Sequence, residues 1–229
     1  MLFPKRCPVC AKPLIFGSGL IHGHCQASLK YIEGSTCCQC GKPVMSDQDM
    51  YCHDCQKRKH HFDMGRALWI YDHNMQESIA RYKYHGAREY AHFYVEQLLF
   101  IHSDWIQSLD LDCIIPVPVH WRKKNQRGYN QAELIALGIA KGLQKKIDKT
   151  YLRRRLWTTP QKNLTPIQRY ENLRQAFYIK KPEPKYRRIL LIDDIYTTGS
   201  TIDACCRVLK DAGAEKVFFL CLCIGSDRA

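Results

Sequence analysis

The chain has 229 residues, 45% of them hydrophobic, enough for one α/β domain of ordinary size and a small added module. No stretch approaches the ~20 apolar residues of a membrane span, and MLFPKRC carries no apolar signal core, so neither a transmembrane segment nor a signal peptide is expected. The net charge of +13 is concentrated: residues 120 to 188 hold 19 Lys and Arg against 4 Asp and Glu, a net +15, while the rest nets −2, so anionic ligands or nucleic acid are expected to meet that third.

Residues 1–62 read as a metal-held module. Cys7-x-x-Cys10, His22-x-x-Cys25, Cys37-x-x-Cys40 and Cys52-x-x-Cys55 each put two ligands on one tight knuckle, and the pairs recur every 15 residues. Two tandem structural Zn2+ sites are predicted, the first from Cys7, Cys10, His22 and Cys25, the second from Cys37, Cys40, Cys52 and Cys55. His24 is an alternative to His22, and interleaved pairs are an alternative to neighbouring ones, although short loops close at less entropic cost. About 60 residues this polar could hardly bury a stable core without metal, and on this reading chelation unfolds the module while the rest of the chain keeps its ligand. Cys38 is surplus, and His53, His60 and His61 are expected at the surface or on a phosphate. The remaining cysteines, Cys113, Cys205, Cys206, Cys221 and Cys223, fall in apolar patterns as small hydrophobes. A reduced, cytoplasmic compartment is therefore expected, with any contact to the inner membrane made through partners.

A second domain is predicted over 63–229. ALWIYD (67–72) has the pattern of a strand, MQESIARYKYHG (75–86) that of a helix stopped at Gly86, and AREYAHFYVEQLLFI (87–101) that of a longer helix. DCIIPVPVH (112–120) is a buried strand whose pairing ends at Val117, because Pro116 and Pro118 lack a ladder donor. WRKKNQRGYNQ then reads as a basic loop turning at Gly128. Arg122, Lys123, Lys124 and Arg127 suit a pyrophosphate there, and an ordinary solvated loop accounts for them equally well. GYNQAELIALGIAKGL (128–143) gives a helix with Ala132, Ile135, Ala136 and Ile139 on its apolar side. The stretch 153–177 interleaves Arg153, Arg154, Arg155, Arg169 and Arg174 with Trp157 and Tyr170, a pattern that serves single-stranded nucleic acid or a hood over an anionic ligand. KKPEPKYRR (180–188) reads as a hairpin tip or connector.

The most informative stretch is ILLIDDIYTTGST (189–201). Ile189 to Ile192 form a strand apolar on both faces; two carboxylates follow, then a small hydroxyl-rich loop, then a helix with Ile202, Cys205, Cys206 and Leu209 on one side and Gly213 as its stop. With the strand Val217 to Ile224 this makes a βαβ unit of a parallel sheet. A helix N-terminus holds a phosphate, Gly199 permits close backbone approach, and Thr197, Thr198, Ser200 and Thr201 add donors. The Walker and dinucleotide glycine motifs are absent from the sequence. A phosphate cradle beside a carboxylate pair suits a ribose 5-phosphate, the carboxylates accepting from its hydroxyls.

IDDIYTTGST resembles the 5-phosphoribosyl-1-pyrophosphate (PRPP) motif of type I phosphoribosyltransferases. The resemblance implies that Asp193 and Asp194 hold the ribose, with Mg2+, and that Thr197, Thr198, Gly199, Ser200 and Thr201 hold the 5-phosphate. Across the chain, the tandem CxxC module, IPVPVHWRKKNQRGYNQAEL, PQKNLTPIQRYENLRQAF and LLIDDIYTTGST together resemble the ComF family (the ComFC/GntX group), with His22 standing where that family usually has cysteine. The fold implied is α/β, a type I phosphoribosyltransferase-like parallel sheet with a small N-terminal double zinc-ribbon module. The function implied is PRPP binding in the handling of imported single-stranded DNA during natural transformation, beside other competence or DNA-processing proteins. An active phosphoribosyltransferase with an unknown acceptor is the alternative. A zinc-ribbon nucleic-acid module whose α/β domain has lost its ligand is disfavoured, because nothing would then require both aspartates.

Overall fold

The structure, a computed structural model, describes residues 5–15, 19–155, 176–180 and 184–225. Four parallel strands, β1 (Met64–Ile70), β2 (Cys113–Pro116), β5 (Arg188–Tyr196) and β6 (Lys216–Ile224), form a sheet in the order β1-β6-β5-β2. Successive side chains of a strand point to opposite faces, and this alternation divides the core in two. Leu190 and Ile192 of β5 join Leu220 and Leu222 of β6 under the helices α3 (His73–Tyr84), α4 (Tyr90–Ser108) and α6 (Gln131–Gly142). Ile189, Leu191, Phe219 and Cys221 lie on the other face, against Ile202, Cys205, Cys206 and Leu209 of α7 (Ser200–Asp211). The five cysteines outside the N-terminal module are all buried here as small hydrophobes. The antiparallel pair β3 (Leu152–Arg154) and β4 (Phe177–Ile179) packs beside α7. Trp157, Arg169, Tyr170 and Arg174 lie outside the described residues.

The N-terminal module straddles the β1 edge. Cys7, Val9, Cys25 and Leu29 join the core on the α3/α4 face, whereas Cys37, Cys40, Cys52 and Phe62 join the core on the α7 face. Between them the chain runs antiparallel to β1: Ile70 N–H donates to Lys30 O at 2.9 Å and Ile32 N–H to Leu68 O at 3.1 Å. The module therefore covers a sheet edge that would otherwise present unpaired backbone groups. The two parts share both cores, so unfolding the module would uncover Trp69 and the edge of β1; the expected independence of the two halves does not match this packing. Among the described residues no helix is long and apolar enough to cross a membrane.

Two elements differ from expectation. The segment read as a basic loop is a helix, α5 (Trp121–Arg127), started by His120, whose Nδ1 accepts the Arg122 N–H, and stopped by Gly128 at φ 79°. It has no buried residue, which is why no apolar periodicity announced it. The second is β5, which runs on through Asp193 and Asp194 to Tyr196 because β6 continues to pair it as far as Ile224. On its other side pairing stops with Val117 N–H donating to Ile192 O, at 2.9 Å, as the prolines require.

Candidate functional site

The opening at the sheet's carboxyl end arises from that mismatch in strand length. Beyond Ile192, β5 has β6 on one side and no β2 partner among the described residues on the other, so Asp193 and Asp194 border a gap. Strand alternation sends them to opposite faces. Asp194 Oδ1 accepts from Lys83 Nζ at 2.8 Å, both side chains being largely buried. Burial alone would lower the Lys83 pKa, but the Asp194 carboxylate outweighs it and raises it. On the other face Asp193 lies within electrostatic range of Arg154 and of the buried Cys205 thiol. Burial and the adjacent Asp194 charge push its carboxyl up to about 7, against the pull of Lys83 and Arg154.

The loop after β5 has the predicted form. Gly199 sits at φ 71° as the residue before α7, and a Cβ there would collide with the Tyr196 phenol. Among the described residues no side chain caps α7, and beside its first turn, where helix N–H groups are left unpaired, lies a concavity of about 70 Å3 lined by Ile195 to Ile202. Thr198 and Ser200 hydroxyls lie 2.9 Å apart across it.

The α5 cations divide. Lys124 binds Glu133 at 3.2 Å, and Arg122 stacks over Trp121 at 5.3 Å. Arg127 donates to Gln131 and to the Tyr84 hydroxyl, whose ring it covers at 4.8 Å. Lys123 has its pKa lowered by partial desolvation and by Arg127, Arg154 and Lys83, with Asp194 acting in the opposite sense. Lys123 and Arg127 thus belong to the field around the carboxylates; Lys124 is turned to Glu133. Arg153 is exposed on β3 with Nε donating to Thr150 O, and Arg155 stacks on Tyr178 at 4.7 Å.

The module gathers Cys7, Cys10, His22 and Cys25, and separately Cys37, Cys40, Cys52 and Cys55; within each group the donor atoms lie within 4.8 Å of one another. Neighbours in sequence close each site. The two knuckles repeat at backbone level: Ala11 N–H donates to Cys7 O and Gly41 N–H to Cys37 O, both at 2.9 Å, and Ala11 and Gly41 both take positive φ. A four-sulfur and a three-sulfur, one-nitrogen set suit tetrahedral zinc and leave no position for substrate. His22 Nδ1 lies 3.3 Å from Cys10 Sγ, and Nε2 lies 3.2 Å from Pro13 O. A carbonyl only accepts, so Nε2 carries the proton and Nδ1 is left as the ligand atom. His24 stacks on His22 outside the donor group, and Cys38 is exposed.

Three participants were not singled out from sequence as lying here. Lys83 is 111 residues from Asp194 and sits in a helix that the sequence marks only by its pattern and its stop at Gly86. Arg154 was one of a run of three arginines. His60 was expected at the surface or on a phosphate, yet it is buried, stacked on Phe62 and 3.5 Å from Asp203.

Comparison with known proteins agrees with this architecture. Residues 1–56 match the double zinc ribbon domain and residues 129–229 the phosphoribosyl transferase domain. Competence protein F of Haemophilus influenzae is 29% identical over 226 residues, covering 94% of this chain and 95% of that protein. DNA utilization protein YhgH of Escherichia coli (strain K12) is 28% identical over 223 residues, covering 96% and 97%. Competence protein ComFC of Bacillus subtilis is 26% identical over 195 residues, covering 82% and 77%. The chain is a homologue of these proteins, as its motifs imply, with a zinc-ribbon module ahead of a phosphoribosyl transferase domain.

Proposed function

We propose that this chain is a PRPP-binding protein that acts on imported single-stranded DNA in natural competence. The observation that carries the reading is the carboxylate pair beside the uncapped α7 cradle, at the one place where β5 outruns β2. Asp193 and Asp194 hold the ribose hydroxyls, residues 197–201 the 5-phosphate, and the field of Lys123 and Arg127 the pyrophosphate. Asp193 and Asp194 offer hard carboxylate oxygens that would hold a Mg2+, which would supply positive charge toward the pyrophosphate. The names of the relatives, two competence proteins and a DNA utilization protein, support the cellular role. The arginine–aromatic stacks at Trp121 and Tyr178 support contact with unpaired bases. We divide the chain at residues 62 and 63, the zinc module serving as a structural brace in a cytoplasmic protein that meets other competence proteins.

A second reading, an active phosphoribosyltransferase, is favoured by the retention of both carboxylates with several cations beside them. In that reaction the acceptor displaces pyrophosphate at C1; the carboxylates stabilise the positive charge developing on the sugar, and the cations receive the leaving group. Calorimetric titration with PRPP and Mg2+ tests the first reading: Asp194→Asn should weaken binding by about 1.5–3 kcal/mol. Unchanged affinity in a folded variant removes the ribose assignment. Pyrophosphate release with candidate acceptors, with and without single-stranded DNA, decides the second.

A further inference from the structure

We infer that Lys83 is an anion-binding residue of this site, placed to receive the pyrophosphate end of the ligand and not merely to neutralise Asp194. The inference rests on the PRPP reading and adds a residue to it. Lys83 Nζ is fixed 2.8 Å from Asp194 Oδ1, with 17% of its side chain exposed. An ammonium has three donors, and this bond uses one.

The local charge shows what the remainder are for. Lys83, Lys123, Arg127 and Arg154 act electrostatically on Asp193 and Asp194 or on one another. Lys83 is thus the contact member of a group of cations that share the field of the two carboxylates. Crowding of like charges is unfavourable: Arg127 depresses Lys83, and Lys83 in turn depresses Lys123. An ion pair that served only to neutralise Asp194 would need neither Lys123 nor Arg127 nearby. An arriving polyanion relieves this repulsion, and in a partly buried site each new charge-assisted bond is stronger than in water.

The position of Lys83 selects which anion. Residues 197–201 already provide for the 5-phosphate, so the charge left for the cations is at the other end of the sugar. Among the contacts of the described residues, Lys83 is the one of the four bonded to a member of the ribose-holding pair. Its ammonium is therefore tied to the sugar's position, whereas Arg127 is tied to Gln131 and Tyr84.

The test is calorimetry with Mg2+ on the full chain, comparing wild type, Lys83→Gln and Lys83→Arg against PRPP, inorganic pyrophosphate and ribose 5-phosphate. Lys83→Gln should weaken PRPP and pyrophosphate by about tenfold or more while leaving ribose 5-phosphate within about twofold. Lys83→Arg should restore most of the loss. An equal loss for all three ligands would show that Lys83 only holds Asp194 in place, and would overturn the inference; so would an unchanged PRPP affinity. Wild-type protein that binds none of the three would remove the PRPP reading, and this residue's role with it.

Discussion

The Asp203 carboxylate accepts the His61 backbone N–H at 2.7 Å, tying the chain that leaves the second zinc ribbon to the first turn of α7. Arg58 reaches the other oxygen at 3.3 Å, and the buried His60 ring lies 3.5 Å away. Burial would raise the Asp203 pKa, but His60 and the His61 N–H outweigh it and hold it below the ordinary 3.8. The start of α7 is thereby braced by the zinc module.

Asp203→Ala should therefore destabilise the protein by about 2–4 kcal/mol, since it removes the acceptor of the His61 N–H and a buried charge partner of Arg58. With a depressed folded pKa, the contribution of Asp203 is full above 3.8 and is lost as pH falls below it. Thermal unfolding of both proteins between pH 7 and pH 3 checks this: the gap should narrow only at the acid end. A gap that stays constant would assign the loss to packing.

Metal analysis should give two zinc ions per chain. Cys52→Ser should lose one and Cys38→Ser none. Each structural zinc contributes on the order of 10 kcal/mol in such modules. Because Trp69 is buried and packs against Tyr31 of the module at 5.8 Å, chelation should also red-shift tryptophan emission. Emission that does not move on metal removal would mean that the module stays docked without zinc.

Asp193 has the opposite linkage to Asp203. Its folded pKa is raised from 3.8 to about 7, so between those values the folded state holds a proton that the unfolded chain has released. Stability attributable to this group is full at acid pH and falls as pH rises to about 7. Allowing for partial exposure, Asp193→Asn should gain about 1–3 kcal/mol on wild type between pH 5 and pH 8. Parallel stability curves over that range would mean that the carboxyl is ionised throughout.

Arg153 and Arg155 are exposed, whereas Arg154 lies in the field of Asp193 and stacks on Phe177 at 5.3 Å. Replacing Arg153 and Arg155 together by alanine should weaken single-stranded DNA binding and flatten its salt dependence by about 1.4 in log–log slope, the value for two released counterions. PRPP affinity serves as the internal control and should hold. If the salt slope does not change, β3 does not touch the DNA.

What was legible in the sequence was governed by short-range physics. Continuous apolar runs and 3.6-residue periodicity mark β5, α6, α7 and β6, and two-residue ligand spacing marks both zinc sites, because each of these patterns is complete within one local stretch. The helix α5 was not legible: its side chains are wholly polar or exposed, and a histidine cap with a glycine stop sets its ends. Nor was the placement of Lys83 on Asp194, or of His61 on Asp203, across 111 and 142 residues. Those contacts depend on sheet order. With β1 beside β6, α3 lies over one face of β5 and the module is held against α7 on the other. The sequence by itself determined the two zinc-ligand groups and the carboxylate pair followed by a hydroxyl-rich loop, since their chemistry and spacing are local. Only the tertiary structure decided which cations meet the carboxylates and which ribbon braces α7, because those pairings are made by strand order and strand length.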